Sequence, residues 1–209
     1  MSKPRSKSST QWLAEHEADP YVQLARKEGY RSRAVYKLKE IQERDKILKT
    51  GMTVVDLGAA PGGWSQFARP QIGKNGRVVA LDILPMNQLK DVEFILGDFR
   101  EDSVLQAIEA AVPAGSADLV LSDMAPNISG IDVADQAASI YLCELALDFA
   151  VQRLKPGGAF LVKLFQGPGS EAYLKLVRTK FRTVQIRKPK ASRARSPEVY
   201  VLARNHRVV

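Results

Sequence analysis

Hydrophobic positions along this chain fall into two regimes. Up to residue 45 they recur at helical spacing. Tyr21 to Glu28 reads as a helix closed by Gly29, and Arg33 to Asp45 as a second, with Val35, Leu38 and Ile41 on one face. After Gly51, short apolar runs alternate with amphipathic stretches. The runs predict strands at 53–57, 77–82, 92–96, 117–123, 158–165, 183–188 and 198–203, and the stretches predict helices near 63–70, 102–112, 135–155 and 170–180. In the longest of these, Ile140, Cys143, Leu147, Val151 and Leu154 share a face, and Pro156-Gly157-Gly158 ends the pattern. Strands separated by helices imply a parallel sheet covered on both faces. The last two strands follow each other directly, so that pair is predicted antiparallel. The expected fold class is α/β: a doubly wound, mostly parallel seven-stranded sheet with one antiparallel strand. Ligands of such sheets bind beyond the carboxyl ends of the strands, which directs attention to the polar residues there.

Composition narrows the classes. A chain of 209 residues suits one domain, expected over residues 12–209 with both N-terminal helices included. Residues 1–11 lack the apolar segment of a secretory signal and read as a flexible basic arm. No apolar run approaches the ~20 residues that span a bilayer, so no membrane partner is expected. Cys143 is the one cysteine, which excludes an internal disulfide and a cysteine metal cluster. It reads as a small core residue and fits a reducing, cytoplasmic setting. The formal charge of +8 is unevenly spread: 12 Lys/Arg face 7 Asp/Glu in residues 1–50, 9 face 15 in residues 51–177, and 10 face 1 in residues 178–209. An acidic centre between basic ends fits a catalytic core with cationic wings, and clustered Lys/Arg attract nucleic-acid phosphates. The same charge also serves solubility. A single domain of this kind is expected to be a monomer.

The chemistry concentrates at strand ends. Asp56-Leu57-Gly58-Ala59-Ala60-Pro61-Gly62-Gly63-Trp64-Ser65 follows the apolar run Met52 to Val55. It is a strand running into a glycine-rich turn, without the G-x-G-x-x-G spacing of a dinucleotide site. Pro61 removes a backbone N–H that a pyrophosphate would use, so the turn suits a cofactor without phosphates. Trp64 is placed either to line that pocket or to fill the core. Asp82 closes the next strand roughly 20 residues on, where an acid binds ribose hydroxyls; a turn or helix cap is the plainer role. Asp98, with Phe99 beside it, suits an adenine ring and its amino group, and is equally placed to cap the helix near Asp102. Asp123 stands in Ser122-Asp123-Met124-Ala125-Pro126-Asn127, where Pro126 forces an extended turn. Lys163 interrupts an apolar strand, Ala159 to Phe165, where a lone lysine is costly; edge protection fits neighbours this apolar poorly, which points to a functional group.

Lys37, Asp123, Lys163 and Glu198 read in order K-D-K-E. With Arg31-Ser32-Arg33-Ala34, Val162-Lys163-Leu164-Phe165-Gln166-Gly167, Ser192-Arg193-Ala194-Arg195-Ser196 and the turn at Asp56, they resemble the bacterial FtsJ/RrmJ family of ribosomal RNA large subunit methyltransferases of the E type. The resemblance runs from about Trp12 to Ala203. It implies a Rossmann-like methyltransferase fold that binds S-adenosylmethionine, releases S-adenosylhomocysteine and requires no metal. It implies a substrate, the 2′-hydroxyl of a uridine in the A-loop of 23S rRNA on the 50S subunit, with no role for DNA. Asp56, Gly58, Gly62, Gly63, Trp64, Asp82, Asp98, Phe99 and Asp123 become the expected cofactor contacts. Lys37, Asp123, Lys163 and Glu198 become the catalytic tetrad, with Lys163 as proton acceptor in an in-line transfer. Arg31, Arg33, Arg193 and Arg195 become the expected RNA contacts, although a solvated charged face would use the same residues. Lysine is ordinarily a poor base at neutral pH, with a pKa of ~10.4, so a charged Lys163 that orients the hydroxyl is the alternative. Competing functions are methylation of tRNA or another RNA, an assembly factor with a vestigial cofactor site, and a small-molecule methyltransferase.

Overall fold

A computed structural model describes residues 17–98, 100–127 and 129–207. The basic arm expected over residues 1–11 and the candidate residue Phe99 lie outside the described residues. Asp19 opens α1 (Pro20–Glu28) by accepting the Tyr21 N–H at 2.9 Å, with Pro20 at the first helical position, and Gly29 closes it at φ 74°. Helix α2 (Val35–Asp45) buries Val35, Tyr36, Leu38 and Ile41. It starts two residues later than the pattern predicts, because Ser32 to Ala34 form a turn. Arg33 therefore lies in the turn before the helix that carries Lys37.

The chain then alternates as expected: β1 (Thr53–Leu57), α3 (Gly63–Gln71), β2 (Arg77–Asp82), β3 (Val92–Leu96), α4 (Asp102–Ala111), β4 (Ala117–Ser122), α5 (Asp132–Arg153), β5 (Leu154–Phe165), α6 (Ser170–Lys180), β6 (Phe181–Arg187) and β7 (Glu198–His206). The seven strands lie in the order β3-β2-β1-β4-β5-β7-β6. Strand β7 runs antiparallel to both neighbours, and the β3-β2-β1-β4-β5 pairings are parallel. The α/β class and its single antiparallel strand are thus as read from the sequence.

Side-chain alternation along the strands builds two cores. Val54, Leu119, Leu121, Leu161 and Leu202 pack under α1, α2 and α3, whereas Val55, Val120, Phe160, Val162 and Val201 pack under α4, α5 and α6. One prediction missed at the α5–β5 junction. Pro156-Gly157-Gly158 was expected to lie between helix and strand, yet the strand begins at Leu154, which is buried and pairs with Ala117. The irregular residues are absorbed as a register shift between Ala117 and Leu119, with Gly157 at φ 80°.

The sheet order reverses between β1 and β4, and their ends are level, Leu57 opposite Ser122. That switch point is where open α/β sheets bind ligands. The turn after β1 and the Asp123 turn after β4 both open there.

Candidate active site

The turn after β1 is held shut by its neighbours. Gly58 and Ala59 donate their N–H groups to the Leu81 carbonyl at 2.9 and 3.1 Å. The Asp82 carboxylate, nearly buried, accepts the N–H of Ala60 at 2.8 Å and of Leu84 at 2.8 Å. Two glycines are required by close approach. A Cβ on Gly58, which sits at φ 76°, would lie 2.7 Å from the Met124 side chain, and one on Gly63 would lie 2.5 Å from Ser32 Oγ. The glycine-rich segment thus brings the β1 turn, the β4 turn and the start of α2 together. Gly62, at φ 104°, stands just before α3.

Asp56 is fully buried at the end of β1. Its Oδ2 accepts from Ser65 Oγ at 2.7 Å, and its Oδ1 has no partner. Burial pushes its carboxyl up to about 7; the Ser65 bond offsets part of the rise, and the charges of Asp123 and Asp82 add to it. Three carboxyl groups therefore converge at the ends of three adjacent strands, with one buried oxygen left without a hydrogen bond. A cationic ligand fits that chemistry. Trp64 is also buried, its indole N–H donating to the Ala34 carbonyl at 2.8 Å and its ring 5.6 Å from that of Tyr200. Only the ring remains for contact with a ligand. Asp98 does not cap α4. It binds the Arg100 N–H and guanidinium within one loop, and the Arg100 bonds hold its pKa below the usual carboxylate range.

The four K-D-K-E residues come together as two ion pairs. Lys37 Nζ lies 2.7 and 2.9 Å from the two oxygens of Glu198. Lys163 Nζ donates to the Asp123 carbonyl at 2.6 Å and lies 3.2 Å from Asp123 Oδ1. Both lysines are largely buried, and β5 is a central strand, flanked by β4 and β7. Between the pairs stands Tyr200, a residue that no sequence pattern singles out. It faces Lys163 across the β5–β7 register and shares a strand face with Glu198 two residues earlier. Its hydroxyl donates to Asp123 Oδ1 at 2.7 Å, and the Lys37 ammonium sits 5.7 Å from its ring centroid. Burial, then the charges of Asp123 and Glu198, hold its pKa well above the ordinary tyrosine value, so it stays a neutral donor. The arrangement holds two ammonium groups and two carboxylates around one phenol, beside the acidic trio. Chemically it can bind a hydroxyl, fix its orientation and take part in moving its proton.

The four candidate arginines divide. Arg31 donates to the carbonyls of Pro61, Asn87 and Gln88 at 3.1, 2.6 and 3.1 Å. Arg33 pairs with Asp19 at 2.5 Å and also donates to the Ala191 carbonyl. Both guanidinium groups hold the fold together. Arg193 and Arg195 lie on the loop between β6 and β7, Arg193 half-buried with its guanidinium 4.0 Å from Asp19, and Arg195 exposed. A cationic cleft of about 250 Å³ beside them is lined by Asp19, Tyr21, Arg33, Lys190, Ser192 and Arg193.

Residues 30–206 match the model of the FtsJ-like methyltransferase family. The chain is 61% identical over 204 residues to the Ribosomal RNA large subunit methyltransferase E of Xanthomonas oryzae pv. oryzae (strain PXO99A), covering 98% of this chain and 97% of that one. It is 59% identical to the protein of the same name in Pseudomonas aeruginosa (strain PAO1), covering 97% and 98%. Among solved structures it is similar to a ribosomal RNA methyltransferase from Plasmodium falciparum, with a TM-score of 0.74 and 28% identity over 85% of this chain and 98% of that one.

Proposed function

The chain belongs to the FtsJ-like methyltransferase family and is an enzyme of methyl transfer, and we propose that it methylates the 2′-oxygen of a uridine ribose in the A-loop of 23S rRNA, acting on the 50S subunit. The substrate reading is supported by the relatives, which are named for large-subunit ribosomal RNA. The observation that carries the chemistry is the convergence of Lys37–Glu198 and Lys163–Asp123 on Tyr200 at the switch point.

S-adenosylmethionine, when bound, supplies a methyl group activated by a sulfonium. Asp56, Asp82 and Asp123 give its pocket the negative charge that suits a cation. Gly58, Gly62 and Gly63 keep the pocket wall close, and Trp64 and Asp98 complete it. At the tetrad, Asp123, itself fixed by Tyr200, fixes Lys163, Glu198 fixes Lys37, and the target ribose hydroxyl docks between the two ammonium groups. Lys163 takes up the hydroxyl proton. Arg193 and Arg195 stand where RNA phosphates reach them, while Arg31 and Arg33 set the surface on which the RNA rests.

One observation favours a second role for Lys163. Its Nζ is held by two acceptors of Asp123, a carbonyl and a carboxylate, which suit an ammonium. In that role it stays charged, orients the hydroxyl and meets the negative charge that develops on oxygen. The two roles differ in pH dependence. A lysine base gives a chemical step that accelerates as pH rises; a charged orienting lysine gives one that slows at high pH.

The test of the function is labelled methyl transfer to undermethylated 50S subunits, protein-free 23S rRNA and bulk tRNA, followed by nucleoside analysis. The reading predicts 2′-O-methyluridine from the 50S subunit. Label found only in tRNA, or on a base, would overturn the target or the chemistry respectively.

A further inference from the structure

We propose that Ser192 is a positioning residue for the reaction, fixing Glu198 so that Glu198 in turn fixes the Lys37 ammonium. The proposal rests on the reading of Lys37 and Glu198 as catalytic groups. Glu198 Oε1 accepts from Ser192 Oγ at 2.7 Å and lies 2.7 Å from Lys37 Nζ, while Oε2 accepts the Lys37 hydrogen bond at 2.9 Å. A carboxylate only accepts, so the serine hydroxyl is the donor. Ser192 is 5% exposed and Glu198 9%, which leaves little room for water to take over that bond. The lysine cannot replace it. An ammonium on a flexible four-carbon stem carries three rotatable donors, so Lys37 can follow Glu198 and does not by itself fix the carboxylate.

Ser192 can anchor the pair because its own loop is fixed at several points. Its N–H donates to the Pro189 carbonyl at 2.9 Å. The Ala191 carbonyl before it accepts from Arg33, and the Lys190 N–H donates to Glu40 on α2 at 2.8 Å. Lys188 Nζ draws the two ends of the loop together through the carbonyls of Ser196 and Glu198, at 2.7 and 2.5 Å. A catalytic pair oriented by a third, immobile group is the general logic of activated side-chain constellations. Tyr200 plays that part for Asp123; Ser192 plays it for Glu198.

The experiment is a double-mutant cycle on the full chain with S192A, E198Q and the combined variant. Single-turnover methyl transfer is read at saturating undermethylated 50S, with KM for 50S, affinity for S-adenosylmethionine and melting temperature measured alongside. The proposal predicts a rate about tenfold lower in S192A, the scale of a lost hydrogen bond to a charged group, with KM and cofactor affinity unchanged. It predicts no further loss when S192A is added to E198Q. A normal rate in S192A beside a slow E198Q overturns the role of Ser192 alone. A normal rate in E198Q overturns the catalytic reading of Glu198 itself, and the role of Ser192 with it. Fully additive losses, or a loss in S192A confined to KM or melting temperature, assign Ser192 to packing and overturn the proposal.

Discussion

Asp56 has one carboxylate oxygen bonded to Ser65 and the other bonded to nothing, and burial first, then Asp123 and Asp82, raise its carboxyl to about 7. A cation bound beside it stabilises the carboxylate and so draws that value down. The deprotonated protein must then bind the cation more tightly. Affinity for S-adenosylmethionine is expected to rise as pH increases through about 7, and binding below that pH should release a proton. Titration calorimetry in buffers of different ionisation enthalpy reads both effects. D56N should bind with a flat pH profile, and a wild-type profile equally flat would remove Asp56 from the ligand site. At this scale the sequence showed what is anomalous and hid what is ordinary. Lys163 stood out because an apolar strand has no business with an ammonium. Tyr200 and Ser65 did not, since tyrosine in a strand and serine in a first helical turn are common, and their roles depend on a register and a turn that only the fold supplies. The intramolecular bonds of Arg31 and Arg33 were equally hidden, because nothing local shows that a guanidinium will be taken up by distant carbonyls or by Asp19.

Among the elements, the join between α2 and the antiparallel end of the sheet depends on Asp45. Its two oxygens accept from Arg187 Nε and Nη2 at 2.7 Å each, Arg204 lies 3.3 Å from one of them, and the carboxylate is 6% exposed. The Arg187 bonds hold its pKa below the usual range. D45N should lower stability by about 3 kcal/mol at neutral pH, because two guanidinium groups lose their counter-charge. A depressed carboxyl contributes stability above its unfolded pKa of ~3.9 and loses it as pH falls through the folded value. Denaturant midpoints of D45N and the wild type should therefore converge in acid; a constant gap would mean that packing, not charge, is what the substitution removes. The strand–helix alternation, the antiparallel end and most boundaries were legible because apolar periodicity is local. The late start of α2 and the early start of β5 were not. The first is set by Ser32 packing against Gly63, and the second by Leu154 pairing with Ala117.

For the molecule as a whole, described parts of the two basic segments meet in space. The helical N-terminal segment and the loop between β6 and β7 close on each other through Arg33 with Ala191 and Glu40 with Lys190, and the cationic cleft opens between them. Binding of 50S subunits is expected to weaken steeply with salt. R193A should reduce the log–log slope by roughly 0.7 to 0.9, one phosphate's worth, without changing melting temperature. R31A should do the reverse, lowering melting temperature with little change in slope; equal slope changes in the two would contradict the division of the arginines. The central claim is that Lys163, held in the middle of the sheet by Asp123, which Tyr200 fixes in turn, acts on the ribose hydroxyl. Its most direct test is single-turnover methyl transfer from S-adenosylmethionine to undermethylated 50S subunits by Lys163→Ala, with cofactor affinity measured on the same sample. The account predicts a loss of at least about a hundredfold, the contribution of a positioned proton-transfer group, with cofactor affinity intact. Transfer at the wild-type rate by that variant would contradict it.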